Sequence, residues 1–146
     1  MPRSFLLEIV TPEKRFYSGE VEIVIARTHS GDEGFMAGHI WACKLLDTDE
    51  LWFREAGEKD YRLAAISGGY IDVSGNVMIF TDTAEWPDEI DVERAETARR
   101  LEQGWLDEHK EKDMPDLATE IALHKLAMRR AIVRKKVAAG GGRKRH

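Results

Sequence analysis

The first 86 residues alternate apolar and polar positions, and turn residues interrupt them about every eight to twelve residues, a pattern typical of short β-strands. Glycine-rich and acidic stretches at 28–34, 47–49 and 56–60 are predicted as loops between strands. The predicted strands cover residues 5–10, 15–27, 35–36, 40–46, 50–54, 61–67, 70–73 and 77–83. So many short strands predict an antiparallel β-sandwich or a flattened barrel.

Beyond residue 86 the apolar residues recur every three or four positions, which indicates helices. The first helix is predicted from Asp88 to His109, with Pro87 in its first turn and acidic residues near its start. The break at 110–115 ends it, and Pro115 can open a second helix. The apolar face predicted for that second helix consists of Leu117, Ile121, His124 and Met128, widened by Leu123, Leu126 and Val133.

The fold class expected is therefore α+β, an N-terminal antiparallel β-sandwich followed by a C-terminal two-helix hairpin. The predicted boundaries are 1–86 for the sandwich, 87–139 for the hairpin and 140–146 for a flexible basic tail that begins with three glycines. No run of eighteen apolar residues and no signal peptide is evident. Cys43 is the only cysteine, which excludes an internal disulfide and suits a reducing compartment. We expect a soluble cytoplasmic chain.

Charge is distributed unevenly along the chain. Residues 125–146 hold nine Lys or Arg and no Asp or Glu, whereas the remaining 124 residues carry 13 basic and 27 acidic side chains. A basic end on an acidic body is compatible with nucleic acid, an anionic membrane surface or an acidic protein partner, but also with a solvated helix face and a loose tail. Charge alone leaves these alternatives open.

The sequence contains no residue pattern that predicts a catalytic site or a metal site. His39 and Cys43 lie four positions apart on a predicted strand, about 13 Å from each other, and a buried structural cysteine is the expected role. The local sequence around Asp32 and Glu33 does not predict the further acid or cation that a catalytic site would need, and the glycines around them lack the Gly-Lys-Ser/Thr end of a phosphate loop. No metal-ligand spacing occurs. We expect neither an enzyme nor a metal site.

Basic residues cluster on the second predicted helix. Arg130 and Arg134 are four positions apart and therefore share a face. In a folded hairpin that face could approach Arg94, Arg99 and Arg100, and such a concentration of arginine needs an anion. The anion could be a nearby carboxylate of Asp91, Glu93 or Glu96, or a phosphate group.

The chain resembles the epsilon subunit of the bacterial rotary ATP synthase along nearly its whole length. The motifs that carry the resemblance are Ile9-Val10-Thr11-Pro12-Glu13, Ser18-Gly19-Glu20-Val21, Gly34-Phe35-Met36-Ala37-Gly38-His39, Ala65-Ile66-Ser67-Gly68-Gly69-Tyr70, Thr81-Asp82-Thr83-Ala84-Glu85 and Asp88-Glu89-Ile90-Asp91-Val92-Glu93-Arg94-Ala95. The resemblance implies a sandwich of about ten strands that binds the gamma subunit and the rotor ring. It also implies a peripheral, non-catalytic position on the cytoplasmic side of the bacterial membrane, with membrane contact only through the complex.

In this family the hairpin can lie against the sandwich or extend towards the catalytic beta subunits, where it inhibits ATP hydrolysis. Some members bind ATP on the folded hairpin as a regulatory ligand, not as a required cofactor. The matching residues here are Glu85, Ile90, Asp91, Arg94, Ala95, Arg130 and Arg134. Two positions depart from the pattern: Leu101 stands where binding members carry a third arginine, and Ile40 replaces the proline usual after Gly-His.

The inhibitory contact is predicted to be electrostatic, because the catalytic head in this family presents acidic loops. The residues predicted to make it are Arg129, Arg134, Lys135 and Lys136. One alternative function is a nucleic-acid-binding module that uses the basic helix, although that helix lacks the interleaved aromatic residues expected of one. Another is a β-sandwich enzyme that depends on His39.

Overall fold

A computed structural model describes residues 3–109 and 117–142. Its strands are β1 (Phe5–Val10), β2 (Arg15–Thr28), β3 (Gly31–Met36), β4 (Ala42–Glu55), β5 (Arg62–Ser74), β6 (Asn76–Phe80) and β7 (Ala84–Glu85). The order β1-β6-β5-β4-β2 closes on itself because β1 also pairs with β2, while β3 and β7 add to β2 and β5. All pairings are antiparallel except β1–β6, which is parallel. The predicted sandwich or flattened barrel is confirmed, with this one parallel exception.

Several predicted strand boundaries are wrong. The segment predicted as a loop at 28–34 turns tightly at His29-Ser30, so that Gly31 already pairs with Thr28. The predicted gap at 47–49 lies inside β4, where Thr48 and Asp49 pair with β5. The predicted last strand, 77–83, ends at Phe80. Because β2, β4 and β5 each run for 13 or 14 residues without a break, the described residues form seven strands and not about ten.

Two apolar clusters organise the molecule. The larger one fills the sandwich, and its fully buried members include Leu7, Ile9, Val24, Phe35 and Phe53. The smaller cluster joins side chains of the sandwich to side chains of the helical part; its members are Trp52, Leu63, Ala65, Ile90, Val133 and Val137. The helical part is therefore docked on the sandwich through buried apolar contacts.

The first α-helix begins later than predicted. Pro87–Glu89 forms a separate 3-10 turn, Ile90 is extended, and helix α1 runs over Val92–His109. The extended backbone lets the Ile90 side chain enter the smaller apolar cluster, which a helix continuing from Asp88 would prevent. Asp91 then caps α1, since the Arg94 N–H donates to its Oδ1 at 3.1 Å. The predicted opening at Pro115 lies outside the described residues.

Helix α2 covers Ala118–Ala138 and packs along α1. Trp105 of α1 stacks between His109 and His124, with ring centroids 3.9 and 3.7 Å away. The predicted apolar face of α2 is confirmed at Val133, which is buried, and wrong at Leu123 and Leu126, which are exposed. Ala131 and Val137, which were not predicted, are also buried. Neither described helix is long and apolar enough to cross a membrane.

Candidate functional site

An open cavity of about 840 Å³ lies between the sandwich and the hairpin. One wall comes from the sandwich and the chain that leaves it: Thr11, Glu13, Lys14, Ser67, Asp82, Thr83, Ala84 and Glu85. The other wall comes from the 3-10 turn and the two helices: Glu89, Arg94, Ala98, Ala127, Arg130, Ala131 and Arg134. The three alanines leave room between the helices where larger side chains would fill the space. We call this space the interdomain cavity.

The structure brings four of the predicted ATP-binding residues together in the interdomain cavity: Glu85, Arg94, Arg130 and Arg134. The other three have supporting positions outside its lining. Ile90 packs into the smaller apolar cluster, Ala95 is fully buried, and Asp91 caps α1 below Arg94. Ala95 is also held by a bond from its N–H to the Asp91 carbonyl at 3.0 Å. These contacts fix the helix start that carries Arg94.

The arginines of the cavity differ in their partners. Arg134 forms a bidentate pair with Glu85, from Nε to Oε1 at 2.7 Å and from Nη2 to Oε2 at 3.1 Å. This pair joins α2 to β7 and needs no added anion. The Arg94 and Arg130 side chains are exposed, and neither forms an ion pair with any residue in 3–109 or 117–142. Two guanidinium groups are thus available to an anion entering the cavity.

Carboxylates share the same cavity. Glu13, Asp82, Glu85 and Glu89 line it alongside four cations, Lys14, Arg94, Arg130 and Arg134. The Glu89 carboxylate accepts a bond from the Trp86 N–H at 3.2 Å, which fixes it at the 3-10 turn. A ligand suited to this lining carries anionic groups together with hydrogen-bond donors. Lys14 was missed by sequence reasoning, because no local pattern links the β1–β2 turn to the helices.

Three of the four residues predicted for the inhibitory contact, Arg129, Arg134 and Lys135, form ion pairs within the chain in this conformation. Arg129 donates from Nη2 to Asp49 Oδ2 at 2.9 Å and from Nε to the Thr48 carbonyl at 3.2 Å. Lys135 bonds Glu96, and hydrogen bonds from Arg99 and then from Lys135 lower the pKa of Glu96 to about 2. Lys136 is exposed on the last turn of α2, where its side chain approaches Gly142. Most of these cations therefore help to hold the hairpin in place.

The two residues that depart from the family pattern, Leu101 and Ile40, lie in different parts of the structure. Leu101 is 70% exposed and lies outside the cavity lining. Arg99 and Arg100, its neighbours, pair with Glu96 and do not replace the missing arginine. Ile40, which stands in place of proline, is exposed and so is Trp41 beside it.

Ile40 and Trp41 belong to a set of large apolar side chains exposed on the sandwich. We call this set the apolar patch; it comprises Met36, Ile40, Trp41, Leu45 and Tyr70, with exposed fractions of 59, 79, 78, 75 and 40%. Leu45 and Tyr70 are paired across β4 and β5. Large apolar side chains left exposed by the sandwich make this set a candidate for contact with another protein. The missing proline is evident in the sequence, but no sequence pattern predicted this surface.

The His39 and Cys43 pair does not form a catalytic arrangement. His39 lies in a turn, stacks on Phe35 with ring centroids 5.0 Å apart, and its Nδ1 is 2.7 Å from the Ile40 carbonyl oxygen. Cys43 is exposed, so the prediction of a buried cysteine is wrong. Within the described ranges no three His, Cys, Asp or Glu side chains form a group that could hold a metal ion.

Comparison with known proteins identifies the family. Residues 4–87 match the model of the "ATP synthase, Delta/Epsilon chain, beta-sandwich domain". The ATP synthase epsilon chain of Alkaliphilus oremlandii is 44% identical over 100 residues, which are 68% of this chain and 73% of that one. The epsilon chain of Caldanaerobacter subterraneus subsp. tengcongensis is 33% identical over 141 residues, 95% and 96% of the two chains.

Solved structures show the same fold at low sequence identity. A chain from the Euglena gracilis mitochondrial ATP synthase (OSCP/F1/c-ring) aligns with a TM-score of 0.73 at 22% identity, covering 96% of this chain and 82% of that one. A chain from the Tetrahymena thermophila mitochondrial ATP synthase (central stalk/c-ring) gives 0.60 at 16% identity, covering 93% and 97%. The family match, the two relatives and the fold together make this chain a member of the ATP synthase epsilon family, a non-catalytic subunit of the central stalk.

Proposed function

We propose that this epsilon chain couples the gamma subunit to the rotor ring through its sandwich, and that its hairpin is an inhibitory arm which ATP holds in the docked position. The observation that carries the ATP part is the interdomain cavity, with Arg94 and Arg130 unpaired among the described residues beside the Glu85–Arg134 pair. Within a bacterial ATP synthase the chain would lie peripherally on the cytoplasmic side. It would contact the membrane only through the complex.

The cavity suits a nucleotide in size and in chemistry. Its volume of about 840 Å³ lies within the usual range for small-molecule sites. Arg94 and Arg130 can each donate paired hydrogen bonds to phosphate oxygens. The carboxylates of Glu13, Asp82 and Glu89 can accept hydrogen bonds from ribose hydroxyls or from the adenine amino group.

Nucleotide binding would favour the docked hairpin because the cavity has walls from both parts of the chain. Once the helices leave the sandwich, the two walls separate and the ligand loses the contacts of one of them. A ligand shifts such an equilibrium only by its preference for one state, and here that preference follows from the shared walls. ATP would therefore oppose inhibition when it is abundant.

Release of the hairpin would exchange one set of contacts for another. Arg129 and Lys135 would leave Asp49 and Glu96 and become available to acidic loops of the catalytic beta subunits, together with Arg134 and Lys136. Leu101, Leu123 and Leu126 are exposed in the docked form at 70, 59 and 50%. They supply apolar surface that the extended form can bury against gamma or beta.

Calorimetric titration of ATP into the full chain tests the proposal. We expect a dissociation constant between micromolar and low millimolar, about −8 to −4 kcal/mol. The Arg94→Ala, Arg130→Ala double variant should lose this binding, whereas the Arg100→Ala, Lys125→Ala variant should retain it. Like the double variant, this control removes one positive charge from each helix, but both of its residues lie outside the cavity lining. If the unmodified chain shows no saturable heat on titration, ATP does not bind. The chain would then be a coupling subunit whose hairpin position is set by its partner subunits alone.

A further inference from the structure

The β1–β2 turn places one cation on the sandwich side of the interdomain cavity. Lys14 lines this wall and its side chain is exposed. Among the residues that the structure describes, its ammonium group has no ion-pair partner. Arg94 and Arg130 line the same cavity from the helices.

The backbone that carries Lys14 is held firmly. The Thr11 N–H donates to the Lys14 carbonyl at 2.9 Å, and the Lys14 N–H donates to the Thr11 hydroxyl at 3.2 Å. The Thr11 hydroxyl also lies 3.2 Å from the Lys14 carbonyl. Val10, the residue before Thr11, accepts a bond at its carbonyl from the Thr81 N–H at 3.0 Å. This bond joins the end of β1 to the segment after β6. The closed turn thus keeps the base of the lysine side chain at the cavity wall.

We propose that Lys14 is a phosphate contact of the bound nucleotide, supplied by the sandwich and not by the hairpin. This inference rests on the proposed entry of ATP into the cavity. A lysine ammonium binds phosphate oxygens as a point charge without a fixed bond direction, so its flexible stem can follow the ligand. Among the described residues Lys14 is the third cavity cation without an ion-pair partner, after Arg94 and Arg130, whereas Leu101 is exposed outside the cavity lining.

A phosphate held by Lys14 on one side and by Arg94 and Arg130 on the other would bridge the two parts of the chain. Such a ligand requires both walls at once, so its binding is coupled to hairpin docking. Without Lys14 the same ligand could bind the helices alone and would prefer the docked state less. Glu13 and Asp82 on the same wall weaken the positive potential there, so we expect a moderate contribution from the lysine.

The test compares Lys14→Ala with Lys59→Ala in the full chain. Lys59 is an exposed lysine in the 56–60 turn, outside the cavity lining, and provides a charge-matched control. Calorimetric titration should show ATP binding about tenfold weaker in Lys14→Ala and unchanged in Lys59→Ala. Lys14→Arg should restore most of the affinity. Adenosine, which lacks phosphate, should bind the unmodified chain and Lys14→Ala equally, and thermal unfolding should confirm that the variants remain folded.

The two failures are distinguishable. If the unmodified chain binds ATP and Lys14→Ala binds it equally well, the lysine makes no phosphate contact and the inference is overturned. An equal loss of adenosine affinity would also overturn it, because the lysine would then act on the shape of the site. If the unmodified chain binds no ATP, the proposed nucleotide site itself fails, and the inference with it.

Discussion

At the scale of single residues, the cations of the hairpin divide by what they contact. Arg129 and Arg134 bond carboxylates of the sandwich and hold α2 on it, whereas Lys135 bonds Glu96 of α1 and holds the two helices together. Arg94 and Arg130 face the interdomain cavity. Substitutions in the first group should therefore change docking, and substitutions in the second should change ligand binding.

Gly69 marks a close approach of two backbones within the sandwich. Its φ is +112°, and a Cβ placed there would lie 1.8 Å from the Phe80 carbonyl oxygen. We expect Gly69→Ala to reduce the free energy of unfolding by at least about 2 kcal/mol, since strain and overlap add. Gly57→Ala, at φ +81° but with open space around the site, should cost only about 1 kcal/mol. Urea unfolding measures both, and equal effects would contradict the overlap.

The packing of the two helices on each other depends on pH through the Glu96 carboxylate. Bonds from Arg99 and Lys135 lower the pKa of this carboxyl from 4.5 to about 2. Because the folded pKa lies below the unfolded value, the stabilisation is fully present above about pH 4.5 and disappears as the pH falls towards 2. Glu96→Gln should therefore lower hairpin stability near neutral pH and have little effect near pH 2. Urea titrations followed by helical circular dichroism check this; a difference independent of pH would contradict it.

At the scale of elements, α2 is attached to the sandwich by apolar and by ionic contacts. Val133 and Val137 are buried against Trp52 and Leu63, and each buried valine contributes roughly 1.5–3 kcal/mol. Asp49, buried at 1% exposure, receives Arg129 of α2 and Arg27 of β2. The buried carboxylate is thus stabilised partly by Arg129 of α2, the helix that leaves the sandwich in the proposed function.

We expect Asp49→Asn to loosen α2 without unfolding the sandwich. In the unmodified chain the Glu50 N–H donates to Asp49 Oδ1 at 2.7 Å, and the amide oxygen of asparagine can still accept this bond. The negative charge that binds Arg129 is lost. Amide hydrogen exchange in α2 should become about five- to thirtyfold faster, while exchange in β1 and β6 stays unchanged. Asp47→Asn, an exposed neighbour on the same strand, serves as the control. Equal exchange in both variants would show that the ion pair does not hold the helix.

Element type followed from sequence pattern, but the boundaries depended on distant contacts. The alternation in β1 matches its buried and exposed positions, since each strand residue turns to the opposite face. Asp47-Thr48-Asp49 reads locally as a loop, yet Asp49 is buried in β4 because Arg27 and Arg129 neutralise it. Leu123 and Leu126 fit an apolar helix face and are still exposed, because α2 docks through its C-terminal half, where Val133 was predicted to be buried and Ala131 and Val137 were not.

At the scale of the whole molecule, the candidate site was predictable as far as its residues lie in recognisable motifs. Glu85, Arg94, Arg130 and Arg134 come from three separate segments and line one cavity, while their binding of ATP stays a prediction. Lys14 could not be found in this way, because its place in the cavity depends on how the hairpin docks. The apolar patch depends likewise on the pairing of β4 with β5.

The apolar patch is expected to be the surface that binds gamma and the rotor ring. Trp41→Ser combined with Leu45→Ser should weaken assembly of this chain with those subunits at least tenfold, because both side chains are mostly exposed and would be buried on binding. Val92→Ser removes an apolar side chain that is 48% exposed on α1, outside the apolar patch, and serves as the control. Co-purification with gamma and the ring measures the effect, and equal assembly of both variants would place the interface elsewhere.

The central claim, that ATP holds the hairpin on the sandwich, is tested most directly by a distance measurement within the assembled ATP synthase. Dyes at Lys59→Cys on the sandwich and Lys125→Cys on α2, in a Cys43→Ser chain, would report hairpin position by energy transfer. Helix α2 has 21 residues and spans about 30 Å, so extension should change the transfer efficiency strongly. We predict one short distance with ATP and an ATP-regenerating system, a second longer population without nucleotide, and no ATP effect after Arg94→Ala and Arg130→Ala. A distance distribution that ATP leaves unchanged in the chain with both arginines intact would contradict the account.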